Sequence, residues 1–374
     1  MRVLVAGDYC PQNRVIDAFK EGDFSRVLGE VKPIVKQFDY SIVNLECPVC
    51  NGNEMPTVKC GRNLKCSVSG VNALHWADFN CVSLANNHFY DYGEEGVMNT
   101  INECIKAGVD TVGGGGNLQA ASRTLYKEFD RQVLAIINCC EHEFSIATNT
   151  NSGSNPLNAI QQYYAIKEAR EHSDYIIIIV HGGNEHYQLP SPRMQETYRF
   201  FIDAGADVVL NHHQHCFSGY EIYKGKPIFY GLGNFCFDKK GVHDNKWNYG
   251  YMVGLEMFNQ EIKFKIFPYQ QCNNNESISL LSKDDERGVL EQICYLNTII
   301  GDPGKLEEEY TKFLASQDVF REILSPYSNR FLLAMYRRHL LPSLFPQKKN
   351  LQLLAYVQCE SHLPKLINYL KRNV

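Results

Sequence analysis

Five short apolar runs in this chain each end on residues that bind metals or move protons. That pattern limits the fold more than any other feature. Residues 3–6 run into Gly7-Asp8, and residues 42–43 into Asn44-Leu45-Glu46. Residues 82–85 run into Asn86-Asn87-His88, and residues 176–180 into His181-Gly182-Gly183-Asn184-Glu185. Residues 208–210 run into Asn211-His212-His213-Gln214-His215. In open α/β sheets ligands bind at the carboxyl edge of the strands. One such ending is noise, whereas five describe a single polar cluster at one sheet edge. His142, between Glu141 and Glu143 after the run 132–138, is a sixth and weaker candidate.

The segments between these runs carry helical periodicity at 24–38 (interrupted by Pro33), 70–79, 94–107, 156–172 and 194–204. Further strands are expected at 109–112 and 132–138. The alternation predicts a layered α/β domain with central parallel strands. After residue 210 the rhythm changes. Strands at 215–223, 226–230, 249–258 and 262–267 follow one another without helices. Lys224-Gly225 and Asn259-Gln260-Glu261 are short turns between them, so antiparallel hairpins are expected, in one mixed sheet or in two sheets. The polar break at 272–276 separates a domain at 1–272 from a helical C-terminal extension at 273–374. From residue 326 onward the extension holds eight Lys/Arg against one acid, Glu360. Packing on the main domain accounts for these helices; contact with a membrane surface or a synthase is the sharper reading. Gly113 to Gly116 reads as a flexible turn, since no Gly-Lys-Ser/Thr follows.

Composition enters as exclusion. A net charge of −5 argues against a partner contacted through nucleic-acid phosphates. The opening residues are not a signal peptide, and no apolar run nears the roughly 20 residues of a membrane helix, so a cytoplasmic setting is expected. The 14 cysteines then read as reduced, small apolar residues. Cys47, Cys50, Cys60 and Cys66 are poorly spaced for zinc and read as free thiols in a loop that overhangs the site. Lys59, Arg62 and Lys65 in that loop are candidate contacts for an anionic substrate.

Carboxylates, an amide oxygen and imidazoles without thiolate suit two divalent cations such as Mn, Fe or Zn. A bridging carboxylate between two such ions lets them activate water and neutralise a displacement at phosphorus. Read as an extended segment, His213-Gln214-His215 points both imidazoles one way and the amide the other.

The motif series resembles a known family. Gly-Asp at 7–8, NLE at 44–46, NNHxxDxG at 86–93, HGGxE at 181–185, HHxH at 212–215 and YGLGNFCFD at 230–238 look like the CapA family of bacterial capsule or poly-γ-glutamate synthesis proteins. That family is similar in turn to the calcineurin-like metallophosphoesterases. The resemblance covers residues 1–270. It implies a four-layer α/β/β/α sandwich with a dinuclear metal site. In it Asp8 and His215 would hold the first ion, and Asn87, His181 and His213 the second, with Glu46 bridging. His88 would protonate the leaving oxygen. Asn44, Asn86, Glu185, His212, Asn234 and Lys59 are expected to contact substrate or support the ligands. The chain departs from the wider phosphoesterase pattern at Asp8-Tyr9-Cys10, where Cys10 replaces a histidine ligand, and has Asn-Leu-Glu for Gly-Asp and Asn86 for Gly. The implied activity is hydrolysis of a small-molecule or polymer phosphoester in capsule or cell-envelope polymer synthesis. The alternative is a non-catalytic or amide-bond-acting accessory protein of the same process.

Overall fold

A computed structural model describes residues 1–130, 132–316, 327, 329–342, 347–358 and 362–371. Two mixed sheets carry the larger unit, Met1–Glu307. In the first, β1 (Arg2–Tyr9), β2 (Tyr40–Leu45), β3 (Cys81–Ser83) and β4 (Asp110–Val112) run parallel in that order. On the other side of β1 lie β14 (Tyr249–Phe258), β15 (Glu261–Gln271) and β16 (Ile278–Leu280), all antiparallel. The short β13 (Asn234–Cys236) pairs with the end of β1. In the second sheet β7 (Gln132–Cys140), β9 (Tyr175–His181), β10 (Val208–His212) and β12 (Lys226–Phe229) are parallel. Antiparallel β6 (Leu125–Phe129) and β11 (Tyr220–Tyr223) form its edges.

The strand period of two decides what each face buries. Along β1, Val3 and Val5 enter the core shared with the second sheet, whereas Leu4 and Ala6 enter the core beneath the helices. Along β2, Tyr40 and Ile42 divide from Val43 and Leu45 in the same way. Helices Arg14–Lys20, Val68–Trp76 and Gly93–Lys106 supply Val15, Val71, Leu74 and Val97 to the outer core of the first sheet. Helices Ala159–His172, Pro192–Ala204 and Lys283–Ile300 cover the second sheet with Ile166, Phe201 and Ile293. The result is the four-layer α/β/β/α sandwich that the family resemblance implies. Side-chain caps fix where helices begin: Asn158, Ser191 and Ser282 each accept backbone N–H bonds at a helix start.

Several local expectations are corrected. The segment 24–38 forms two short helices, Ser25–Leu28 and Lys32–Val35, with Pro33 in the first turn of the second, where proline is tolerated. The strand expected at 215–223 starts only at Tyr220. The glycine run is not a loose turn. Gly114–Gly115 is a strand, β5, paired with β8 (Gly153–Ser154). A Cβ on Gly113, whose φ is +86°, would overlap the Asn138 side chain. Cys47, Cys50 and Cys66 are buried rather than displayed on a loop, and Cys60 is exposed.

The smaller unit, Glu308–Val374, contains the helices Arg330–Arg337, Gln347–Gln358 and Leu363–Lys371. Arg372, one of the eight basic residues, lies outside the described residues. Among the described residues no helix is long and apolar enough to cross a membrane.

One buried amide ties the two sheets together at the edge that carries the polar cluster. Asn138 on β7 accepts from the N–H groups of Leu84 and Ala85 at 3.1 and 2.8 Å, and its Nδ2 donates to Ile179 O of β9 at 3.0 Å. Asn138→Ala leaves the buried Ala85 N–H without an acceptor, whereas Leu84 N–H keeps Val112 O at 2.9 Å. An orphaned buried group costs about 1–3 kcal/mol, so unfolding free energy should fall by about that amount. Urea unfolding checks this, and a loss below about 1 kcal/mol would contradict the clip.

Candidate metal centre

The strand ends of both sheets converge here. Asp8 is aligned with Asn44 on β2 and with Asn234 on β13, and Glu46 follows β2 directly. His181 ends β9 and is aligned with His212, the last residue of β10. Beyond β10 the chain turns sharply. His213 and His215 both take positive φ, +92° and +54°. The expected extended His213-Gln214-His215 segment is therefore corrected: left-handed backbone, not strand alternation, delivers the two imidazoles. The turn is held by His213 N–H donating to Asp8 Oδ2 at 3.2 Å.

Two sets of ligand atoms result. Glu46, His181 and His213 form one; Asp8, Glu46 and His215 form the other. Glu46 is common to both. His181 Nε2 lies 3.5 Å from Glu46 Oε1 and 3.1 Å from His213 Nδ1. His215 Nε2 lies 3.6 Å from the same Glu46 oxygen, and its Nδ1 lies 3.7 Å from Asp8 Oδ2. Asn87 joins the His181–His213 set, with Oδ1 at 3.1 Å from His181 Nε2.

The donors fit cations. Both oxygens of Glu46 are buried and make no hydrogen bond. A buried carboxylate without a partner is costly unless a positive charge meets it. Burial, and then the negative charge of Asp8, pushes the Glu46 carboxyl well above its ordinary range. Burial likewise raises Asp8 to about 7, against hydrogen bonds from Asn44 and the His213 backbone that lower it. Burial holds His181 and His215 neutral, so their nitrogens can offer lone pairs, and pushes His212 down to about 3. Bound divalent cations would reverse the penalty on the carboxylates.

The other residues expected at the site divide. Asn44 donates to Asp8 Oδ1 at 2.7 Å and accepts from Ser83 Oγ at 3.2 Å. Asn234 Oδ1 lies 2.9 Å from His215 Nδ1, and so turns Nε2 of that ring toward Glu46. Asn86 stays outside the cluster. It donates to Leu45 O and accepts from His88 N–H, which fixes the loop that carries Asn87. His212 Nδ1 lies 3.5 Å from Asp8 Oδ1, and neither of its ring nitrogens makes a hydrogen bond. Glu185 belongs to neither ligand set but adds negative charge near Glu46. His142 is exposed and outside the cluster. Cys10 is buried with Cys47 and Cys66 in the helix-side core, so nothing replaces the missing histidine from that position.

His88 is held by a residue the sequence reading passed over. Its Nδ1 lies 2.7 Å from Asp91 Oδ2, and that oxygen also accepts from Leu64 N–H at 2.6 Å. The Lys59 ammonium pairs with Asp91 Oδ1 and lies 3.2 Å from His88 Nδ1. The Asp91 carbonyl accepts from Thr57 N–H at 2.9 Å and Asn63 Nδ2 at 2.8 Å. Asp91 thus ties the loop 57–64 to His88. Glu143 was also passed over in favour of its neighbour His142.

A carboxyl that keeps its proton up to about pH 7 must give it up to a cation, so cation affinity rises as pH rises toward that value. For each proton displaced the affinity should change about tenfold per pH unit. Calorimetric Mn²⁺ titration at pH 6 and pH 8, in buffers of differing ionisation enthalpy, should show tighter binding at pH 8. It should show proton release at pH 6. Equal affinity with no proton release would contradict the assigned ligands.

The family model described as bacterial capsule synthesis protein PGA_cap matches residues 2–239. The chain is 30% identical over 247 residues to a capsule biosynthesis protein CapA of Bacillus anthracis, covering 64% of this chain and 60% of that protein. It is 32% identical over 213 residues to the PGA biosynthesis protein CapA of Bacillus subtilis, covering 56% of each. The chain therefore spans well under two thirds of either relative's own length. Among solved structures it is similar to a phosphatase from Mycoplasma pneumoniae, with 16% identity and a TM-score of 0.48 over 73% of this chain and 95% of that one. With the family model spanning well over half its length, the chain belongs to the PGA_cap family of bacterial capsule synthesis proteins.

Proposed function

We propose that the chain is a metal-dependent phosphoester hydrolase acting in capsule or cell-envelope polymer synthesis. The observation that carries this reading is Glu46, buried without hydrogen bonds and shared by two sets of ligand atoms. Two divalent cations, when bound, would polarise a water and offset charge on phosphoryl oxygens. Asp8 and His215 would hold one cation, and Asn87, His181 and His213 the other. Asn44 and Asn234 keep Asp8 and His215 in place.

His88 supplies the proton for the leaving oxygen in this reading. Asp91 occupies Nδ1, which leaves Nε2 as the donor. Lys59 beside both groups restrains the carboxylate and favours an anionic substrate. General acids contribute about 10²–10⁴-fold, and most where the leaving group is poor. His88→Ala should therefore cost about 10²-fold or more on an alkyl phosphate and little on p-nitrophenyl phosphate. Steady-state kinetics on the two esters checks the role, and equal losses would remove it.

The accessory alternative keeps one specific support: with Cys10 in the core, the Asp8 set holds three ligand atoms among the described residues. A wild-type chain that loads with Mn²⁺ yet hydrolyses neither ester would favour it.

For the C-terminal unit we propose contact with an anionic membrane surface. From residue 326 onward it carries eight Lys/Arg and one acid, and it exposes Phe331, Leu351, Leu354, Val357 and Leu370. Basic charge beside exposed apolar side chains is the pattern of interfacial helices. The full chain should sediment with phosphatidylserine vesicles and not with phosphatidylcholine vesicles, and Phe331→Asp should weaken that binding. Equal binding to both vesicles, or none, would reject the proposal.

A further inference from the structure

Two ligands of the second set, Asn87 and His213, share an outer partner. Glu143 lies just past the carboxyl end of β7, in a segment held at several points. Its N–H donates to Glu141 O at 3.1 Å, and Glu141 N–H donates to His181 O at 3.0 Å. Two residues on, Ser145 O accepts from Ser154 N–H at 2.7 Å and Ser145 Oγ from Tyr90 N–H at 3.1 Å. From this anchored backbone the carboxylate reaches both ligands. Its Oε2 accepts from Asn87 Nδ2 at 3.0 Å, and its Oε1 lies 3.5 Å from His213 Nε2.

Each contact settles an orientation. An amide that donates Nδ2 to Glu143 must turn Oδ1, its only good ligand atom, toward His181. An imidazole whose Nε2 faces Glu143 presents Nδ1 toward His181 Nε2, 3.1 Å away. Metal-binding imidazoles usually give their second ring N–H to an outer acceptor, which fixes the tautomer and strengthens the ligand. The Asp8 set has an uncharged version of this device, on one ring alone. There a neutral amide, Asn234, supports one ring, His215, at 2.9 Å. A carboxylate is a stronger partner than an amide for a ring N–H.

We infer that Glu143 is a positioning residue for the second cation, fixing Asn87 and His213 together, and that it makes the His181–His213–Asn87 set the tighter of the two. This rests on the dinuclear reading of the site. It assigns Glu143 no contact with substrate and no part in proton transfer.

The test is Mn²⁺ titration of the full chain, followed by calorimetry and by electron paramagnetic resonance of spin-coupled Mn pairs. Wild type should bind two ions in two classes. Glu143→Ala should weaken the tighter class by about 10–100-fold, leave the weaker class unchanged, and lose the coupled signal at two equivalents. Glu143→Gln keeps one acceptor oxygen and should fall between the two. Thermal unfolding of the metal-free proteins should be the same for all three, since the side chain is partly exposed and its backbone is held independently. Two unchanged classes in Glu143→Ala overturn the inference and leave the dinuclear reading standing. An equal loss in both classes, or a destabilised metal-free variant, shows a general structural role and also overturns it. A wild-type chain that takes up no Mn²⁺ overturns the dinuclear reading and this inference with it.

Discussion

The arrangement depends on one unbalanced group. Glu46 sits fully buried between the sheets, and neither carboxylate oxygen meets a hydrogen-bond donor. Folding such a group is unfavourable unless positive charge arrives or the proton stays on. What surrounds it consists of neutral imidazoles and the Asp8 carboxylate rather than cations. Lys59, the buried cation near the proposed acid, is paired with Asp91 and not with Glu46. The protein thus gathers lone pairs and carboxylates without a balancing cationic side chain, which is the electrostatic requirement of a cation site and not of a salt bridge.

The two sheets share the work unequally. The first contributes the carboxylates, Asp8 and Glu46, on parallel neighbours whose register is fixed by main-chain bonds. The second contributes the imidazoles, from the ends of β9 and from the turn after β10. Asn138 holds these edges in register across the core. The cluster is therefore as precise as the packing between the sheets, and its supports lie outside the ligand ring: Asn44 on Asp8, Asn234 on His215 and Asp91 on His88. Binding sites keep their geometry in this way, because a ligand's rotamer is only as fixed as the group behind it.

The sequence carries much of this in readable form and omits a definable remainder. Asp8, Glu46, Asn87, His181, His213 and His215 were legible because an apolar strand followed by a polar residue marks the carboxyl edge of a sheet, and six such residues converge here. How His213 and His215 converge was not legible. The spacing of two suggested a strand, and only the positive φ values reveal the turn, a conformation uncommon for residues other than glycine and one that side-chain pattern does not announce. Glu143 was obscured by its neighbour. A histidine between two glutamates draws attention as a ligand, yet the backbone turn exposes His142 and sends the next side chain toward Asn87. Asp91 lay within a motif already quoted, but its grip on the loop 57–64 joins residues about thirty positions apart. The buried cysteines read correctly as apolar filling, although their burial beneath a loop that looked exposed required the three-dimensional packing.

If Glu46 is shared by two cations, metal content must follow its charge. The most direct measurement is elemental analysis of metal per chain, on protein purified without chelators or a histidine tag and then equilibrated with Mn²⁺. Close to two equivalents are expected for the wild type, with a clear fall for Glu46→Gln, which keeps the shape of the side chain but not its charge. No bound metal in the wild type, or the same content in both proteins, would contradict that sharing.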